Sequence, residues 1–183
     1  PLSTAEDRIL LAGYTLTDPS VTEALIAAHR RNVTVRVLLE GDPVGGPPAG
    51  QATQLDRLRR AGVSVSVMGT EHARYRYHHA KYVVVDDRAV VTSENWKPGG
   101  TGGQGSRGWA VRLTDPRVAA DLARVFYADA DFLDTTSWSA NATGESTADD
   151  PSTARFPTRF DAPSSRADRV TVLAAPDNAG TAI

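Results

Sequence analysis

His78-His79-Ala80-Lys81-Tyr82-Val83-Val84-Val85-Asp86-Asp87-Arg88-Ala89-Val90-Val91-Thr92-Ser93-Glu94-Asn95-Trp96 is the stretch of the chain densest in chemically competent side chains. Its apolar runs are rich in valine, and Asp87-Arg88 between them reads as a tight turn. The pattern predicts a strand from His79 to Asp86 and an antiparallel return over Ala89 to Thr92. Residues i and i+2 of a strand face the same way. His79 and Lys81 are therefore expected on one face, about 7 Å apart, with Val83 and Val85 continuing that face inward. Ala80, Tyr82 and Val84 face the other way, and Asp86 closes the strand. Ser93 and Asn95 end the return strand with the same i, i+2 relation. Such a hairpin gathers an imidazole, an ammonium, a hydroxyl and a carboxamide at one edge. A neutral imidazole serves as nucleophile or base near neutral pH. The ammonium neutralises an oxyanion, while the hydroxyl and amide donate further hydrogen bonds. Together they suit a phosphorus centre that gains negative charge as it is attacked. No second His or carboxylate is spaced from His79 as a metal ligand would be, so no metal and no cofactor are expected.

Working outward, residues 9–14 are a short apolar run that reads as a buried strand. Asp18-Pro19-Ser20 opens a helix with an apolar face at Val21, Leu25, Ile26 and Ala28. Val33, Val35 and Val37 to Leu39 read as a second buried strand, and the three together predict a right-handed βαβ unit. After a Gly/Pro loop (41–50), Leu55, Leu58 and Ala61 mark a second helix closed by Gly62. A third strand follows at Val63, Val65 and Val67. Beyond the hairpin lie a glycine-rich loop (98–108), a strand (109–113) and a helix begun by Asp115-Pro116 and carrying Val118, Leu122, Val125 and Phe126. The globular part is expected over residues 1–134. Between Thr135 and Ser165, 12 of 31 residues are Ser or Thr, so 135–167 reads as a linker or long loop. Residues 168–183 read as the first strand of a second, truncated repeat, because Asp168-Arg169-Val170 echoes Asp7-Arg8-Ile9. Asn141-Ala142-Thr143 matches a glycosylation sequon, a pattern frequent by chance.

Composition bounds the function. The chain has 183 residues and a formal net charge of -2, which excludes a polybasic nucleic-acid wrapper. It has no cysteine, which excludes a disulfide scaffold, a thiol nucleophile and Cys-ligated zinc or iron–sulfur sites. No apolar run reaches the roughly 20 residues of a membrane span, and no leader follows Pro1. The location stays open, extracellular and membrane-associated settings included. Only two lysines occur, Lys81 and Lys97, and Asp outnumbers Glu. That balance fits a GC-rich or salt-adapted source of the archaeal, halophile type, and it makes the position of each lysine informative.

His79-x-Lys81, four residues, Asp86, six residues, Ser93-x-Asn95 resembles the signature of the phospholipase D superfamily. Thr92 stands where the family usually has Gly. The resemblance covers roughly residues 8–134. It implies an α/β fold: an α/β/α sandwich with a mixed central sheet, one repeat of a two-repeat architecture. It also implies metal-independent phosphodiester hydrolysis or phosphatidyl transfer through a phosphohistidine. In that family two motifs face each other; one His attacks phosphorus, and the other protonates the leaving oxygen. Carried over, His79 is nucleophile or general acid, Lys81 and Asn95 bind phosphate with help from Ser93, and Asp86 supports the catalytic site. Many members hold the His with an acidic residue on the strand after the Gly-rich loop. Ser106-Arg107-Gly108-Trp109 has no carboxylate there, which leaves Glu94, Glu71 or a residue of the other half as substitutes.

One motif requires a second half. It comes either from a homodimer partner or from a repeat beyond Ile183, and the echo at residue 168 and the start at Pro1 favour a piece of a longer protein. None of His29, His72 and His78 is followed by x-Lys; His29 is expected on the exposed side of the first helix. Arg74, Arg76, Tyr77 and His78 are candidates for a substrate rim, against an ordinary solvated edge for the Arg/Tyr run. Trp96 either walls the pocket or packs in the core. Arg57, Arg59 and Arg60 read as a solvated helix face, and Gly99 to Gly103 as a mobile loop beside the site. The substrate is a nucleic acid or a phospholipid. The reading of another class is a catalytically silent half that binds or pairs.

Overall fold

The computed structural model describes residues 2–69, 74–102, 106–140 and the backbone of 170–175. The expected sequon at Asn141, His72, Glu71 and most of the predicted linker lie outside them. No described helix is long and apolar enough to cross a membrane.

Strand β1 (Arg8–Gly13) is followed by α1 (Pro19–Arg30), β2 (Thr34–Glu40), α2 (Gln51–Arg60) and β3 (Ser64–Met68). Then come β4 (Tyr82–Val85), β5 (Arg88–Thr92), the short α3 (Pro98–Thr101), β6 (Gly108–Leu113) and α4 (Pro116–Ala130). β7 (Thr135–Ser137) and β8 (Val170–Ala175) complete an eight-stranded sheet in the order β7-β3-β2-β1-β4-β5-β6-β8. β1, β2 and β3 run parallel, as helical crossovers require. β4 joins β1 antiparallel, and β5, β6 and β8 continue antiparallel.

The apolar run of β1, Ile9 to Ala12, and that of β2 from Val37 to Leu39 are continuous because both faces of the sheet are covered there. On one face Ile9, Leu11, Val37, Val83 and Val85 pack with Leu25 of α1 and Leu58 of α2. On the other, Leu10, Ala12, Leu38, Tyr82 and Val84 pack against Ala119, Ala123 and Phe126 of α4. This is the expected α/β/α sandwich with a mixed sheet. Asp18 caps α1 by accepting from the Ser20 amide at 2.7 Å, and Asp115 caps α4 through Arg117 N at 2.9 Å.

Two expectations change, and one strand expectation holds. The sheet does not stop at Asp134: Thr135–Ser137 pairs with β3, and Trp138 N donates to Val65 O at 3.0 Å. Val170–Ala175, read as a strand, lies antiparallel on β6. His29 is half-buried and not fully solvated; its ring lies against Gly62, where an added Cβ would meet Nε2 at 2.9 Å. Arg57, Arg59 and Arg60 do form a solvated face, paired with Glu23 and Asp56.

Candidate active site

The site lies past the carboxyl end of β1, where the parallel half of the sheet meets the antiparallel half. Open α/β sheets place ligands at such a change of direction. β4 begins only at Tyr82, opposite Ala12. His79 to Lys81 are therefore not in the strand, as the sequence suggested, but in its lead-in. One bond still holds that lead-in to the return strand: Thr92 N donates to Lys81 O at 3.0 Å. The predicted alternation holds where the strand is real, with Val83 and Val85 on one face and Tyr82 and Val84 on the other.

His79 is exposed, whereas Lys81 is buried at 7% exposure. Lys81 Nζ donates to His79 O at 2.9 Å and lies 3.2 Å from His79 Nδ1. An ammonium has no acceptor capacity, so Nδ1 accepts, and the neutral ring carries its proton on Nε2. Partial burial and the Lys81 charge both lower the His79 pKa below the ordinary imidazole value. The ring is thus neutral near pH 7. Burial also lowers Lys81, and the charge of Glu94 pushes back upward. Tyr14, unnoticed in the sequence, completes the group. Its ring meets His79 edge-on at 4.6 Å and lies 5.3 Å from Lys81 Nζ, and its hydroxyl accepts from Val44 N at 2.6 Å. Its only sequence signal was its place at the end of the first apolar run.

Ser93 and Asn95 leave β5 at the same end. Ser93 N donates to Trp109 O at 2.8 Å, and Ser93 Oγ accepts from Trp109 N at 2.9 Å. Asn95 Oδ1 is buried with no hydrogen-bond partner among the described residues.

Between them, Glu94 folds back over β6. A Cβ on Gly108 would fall 2.2 Å from Glu94 Cγ and Oε1, and one on Gly100 would fall 3.0 Å from Glu94 Cβ. The carboxylate therefore occupies the room that a side chain at 108 would take. Of the substitutes considered for the missing acid, Glu71 lies outside the described residues, and the charge of Glu94 reaches Lys81. Gly108→Ala is expected to displace Glu94 and cost about 1–3 kcal/mol of stability. Glu94→Ala in the same chain is expected to restore most of it. Denaturant titration of the three variants checks this, and an additive double variant would refute the interlock.

Asp86 does not join this group. It sits at the other end of β4 with φ 53°, in the turn to β5. Its carboxylate accepts from the main-chain N–H of Glu6 at 3.0 Å and from those of Asp7 and Arg8 at 2.9 Å. It clasps the start of β1. Burial alone would raise its pKa, but the amides of Arg8, Asp7 and Glu6 outweigh that and lower it. A depressed carboxylate contributes stability above its unfolded pKa and loses it as pH falls through the folded value. Asp86→Ala is expected to cost about 1–2 kcal/mol at pH 7, solvent screening included. That difference shrinks on acidification below about pH 4, as parallel urea titrations of the two proteins would read. A cost that does not change with pH would refute the clasp.

The rim is corrected in part. Arg74 is 3% exposed, and its guanidinium is held by Asp134 at 2.8 and 3.0 Å, with Asp129 at 3.3 Å. His78 is 5% exposed, and burial lowers its pKa to about 4. Trp96 is 1% exposed and donates Nε1–H to Ala12 O at 3.0 Å, so it is core rather than wall. Arg76 and Tyr77 do remain at the surface, the guanidinium carbon 5.7 Å from the Tyr77 ring centre. Tyr77 in turn meets Tyr14 edge-on at 6.3 Å.

Comparison with known proteins gives a consistent picture. The family model described as cardiolipin synthase, PLD-like domain, matches residues 1–130. A mitochondrial cardiolipin hydrolase of Xenopus laevis is 37% identical over 93 residues, 50% of this chain and 40% of that protein. One from Xenopus tropicalis is 34% identical, covering 62% of this chain and 50% of that protein. The chain thus spans half or less of the length of these relatives. Among solved structures, Nuc from Salmonella typhimurium, a phospholipase D family member, superposes with a TM-score of 0.65 at 17% identity. That match covers 75% of this chain and 85% of that one.

Proposed function

Because the chain belongs to the phospholipase D superfamily, within the family described as cardiolipin synthase, PLD-like domain, we propose that it cleaves or transfers phosphodiesters through a phosphohistidine on His79. The observation that carries this reading is the contact between an exposed, neutral imidazole and a buried ammonium at the change of strand direction. In the resting site the Lys81 ammonium holds Nδ1, leaving the proton on Nε2. A bound phosphodiester offers Lys81 a better acceptor. Once the ammonium moves to a phosphate oxygen, Nδ1 is free to take the ring proton and the Nε2 lone pair is free to attack. The Nε2–P bond forms, the bond from phosphorus to the leaving oxygen breaks, and that oxygen takes a proton from a second imidazole. Water or an alcohol, giving its proton back to that second imidazole, then attacks from the opposite side and breaks the P–N bond. The N–H groups of Asn95 and the hydroxyl of Ser93 stabilise the added charge.

The second imidazole belongs to another half of the site, supplied by a second copy of the chain or by a further repeat. For the substrate, Arg76 and Tyr77 exposed beside His79 support a nucleic acid, a cation and a ring being suited to phosphate and base. The cardiolipin hydrolase relatives support a phospholipid instead. Incubation with a single-stranded oligonucleotide carrying radioactive phosphorus in its internal phosphodiesters, or with vesicles of cardiolipin labelled in its phosphorus, followed by alkaline quenching, is expected to leave label on His79. Turnover of either substrate without label on His79 overturns the mechanism. No turnover of either leaves the silent, binding half as the reading.

A further inference from the structure

We infer that Glu40 is a positioning residue for His79, fixing the main chain that presents the imidazole; the inference rests on the reading of His79 as the reacting group. Glu40 is the last residue of β2, at the site end of the sheet, and is 2% exposed. Its Oε2 accepts from the His78 main-chain N–H at 2.5 Å. Its Oε1 accepts from Asp42 N at 2.9 Å. A Cβ on Gly69, which has φ +107°, would lie 2.9 Å from the same Oε1. One carboxylate therefore meets three chain segments: the loop after β2, the turn after β3, and the lead-in to β4. The lead-in lacks strand pairing at His79, so this bond holds its main chain on the N-terminal side of His79, as Lys81 Nζ on His79 O and Thr92 N on Lys81 O hold it at and beyond His79.

The chemistry of the group is also informative. Among the described residues no ion pair to Glu40 is found within 4.0 Å. A buried carboxylate held by amides alone is costly to desolvate. Burial accordingly raises its pKa, against the pull of the Asp42 and His78 amides. Stability alone favours a neutral group here. An acid is the side chain that accepts from two main-chain donors at once, one through each oxygen. Glutamine keeps the shape but has one acceptor oxygen, and its NH2 turns a donor toward a donor. Tyr14 reaches the same neighbourhood from the other side, holding Val44 N and touching the His79 ring. The His79 imidazole thus touches Tyr14 at its ring, while Glu40 holds the main chain one residue before it, at the His78 N–H.

The test uses Glu40→Gln and Glu40→Ala in the full chain, with bis(4-nitrophenyl) phosphate as a small phosphodiester. Small displacements of a reacting group cost up to about a hundredfold in rate. The expected result for Glu40→Gln is kcat lowered about tenfold to a hundredfold, with KM within about twofold and the melting temperature nearly unchanged. Two further readouts do not need turnover. The His78 amide is expected to exchange with solvent faster in the variants. The carbethoxylation rate of His79 by diethyl pyrocarbonate, mapped by mass spectrometry, is expected to change at least about fivefold. A folded Glu40→Gln protein with His79 reactivity and kcat at wild-type levels overturns the inference. If the wild-type chain turns over no phosphodiester, the functional proposal fails, and the His79 reactivity decides this one separately. If neither variant folds, the wild-type His78 amide decides: exchange at the rate of an unprotected peptide overturns it.

Discussion

His79→Ala is expected to lower kcat/KM on a phosphodiester by about 10⁴-fold or more, the scale seen when a covalent nucleophile is removed, while leaving the melting temperature unchanged. The stability half of that expectation follows from the surroundings. His79 is exposed, and its ring touches Lys81 and Tyr14 without entering the core. The kinetic half follows from the proposed covalent step. The pH profile supplies a second check. Slight burial and the Lys81 charge lower the His79 pKa, and the attacking form is the neutral ring. Activity is therefore retained down through pH 6.5 and lost as pH falls through the depressed value. An acid limb centred well above the ordinary imidazole value of about 6.5 would speak against His79 as the titrating group. A variant with more than a tenth of wild-type turnover would end its role as nucleophile.

The second large effect is structural. Asp134→Ala is expected to cost about 3–5 kcal/mol, the range for breaking a buried ion pair from one side. Asp134 is fully buried and accepts three bonds from Arg74, from its main-chain N, Nε and Nη2, at 2.9, 2.8 and 3.0 Å. Removing it leaves Arg74, among the described residues, with Asp129 at 3.3 Å as its one remaining ion-pair partner. Replacing both partners by apolar residues, as in Arg74→Met with Asp134→Leu, is expected to recover most of the loss, because it removes the stranded charge. Equilibrium urea unfolding of the three proteins reads both outcomes. A loss under about 1 kcal/mol for the single variant would place the pair among surface bridges in its effect.

The contrast between these two residues shows what a sequence displays and what it conceals. His79 and Lys81 were legible because their chemistry is carried by residue type at short spacing. β1 was legible because burial on both faces leaves an unbroken apolar run, β2 because Val35 and Val37 to Leu39 stay apolar around Arg36, and α1 because Asp18-Pro19 marks its start. Arg74 was not. In Arg74-Tyr75-Arg76-Tyr77 two arginines look alike, and what separates them is an acid 60 residues later that buries one and leaves the other outside. Asp86 was misplaced for the same reason: the amides it holds lie 78 to 80 residues earlier. The lead-in at His79 looked like strand because strand propensity does not report where pairing ends. Glu94 over Gly108 needed a three-dimensional notch to be seen. β7 was hidden by composition, since Thr135, Thr136 and Ser137 carry no apolar period and owe their strand to the partner they pair with.

β7 has a practical corollary for the behaviour of the protein at high concentration. A parallel strand such as β3, left at the margin of a sheet, is a template onto which another molecule can add. Here that margin is occupied by three hydroxyl-bearing residues, too short and too polar to invite a ninth strand. Trp138 follows, its N–H still bonded to Val65 O and its ring packed against the core. Molecules that meet along this border therefore find little to zip together, so intermolecular ladder growth, the first step toward fibrils, is discouraged on that side. A fragment ending before Thr135 would bare Val65 and Val67 along that border and is expected to lose the protection.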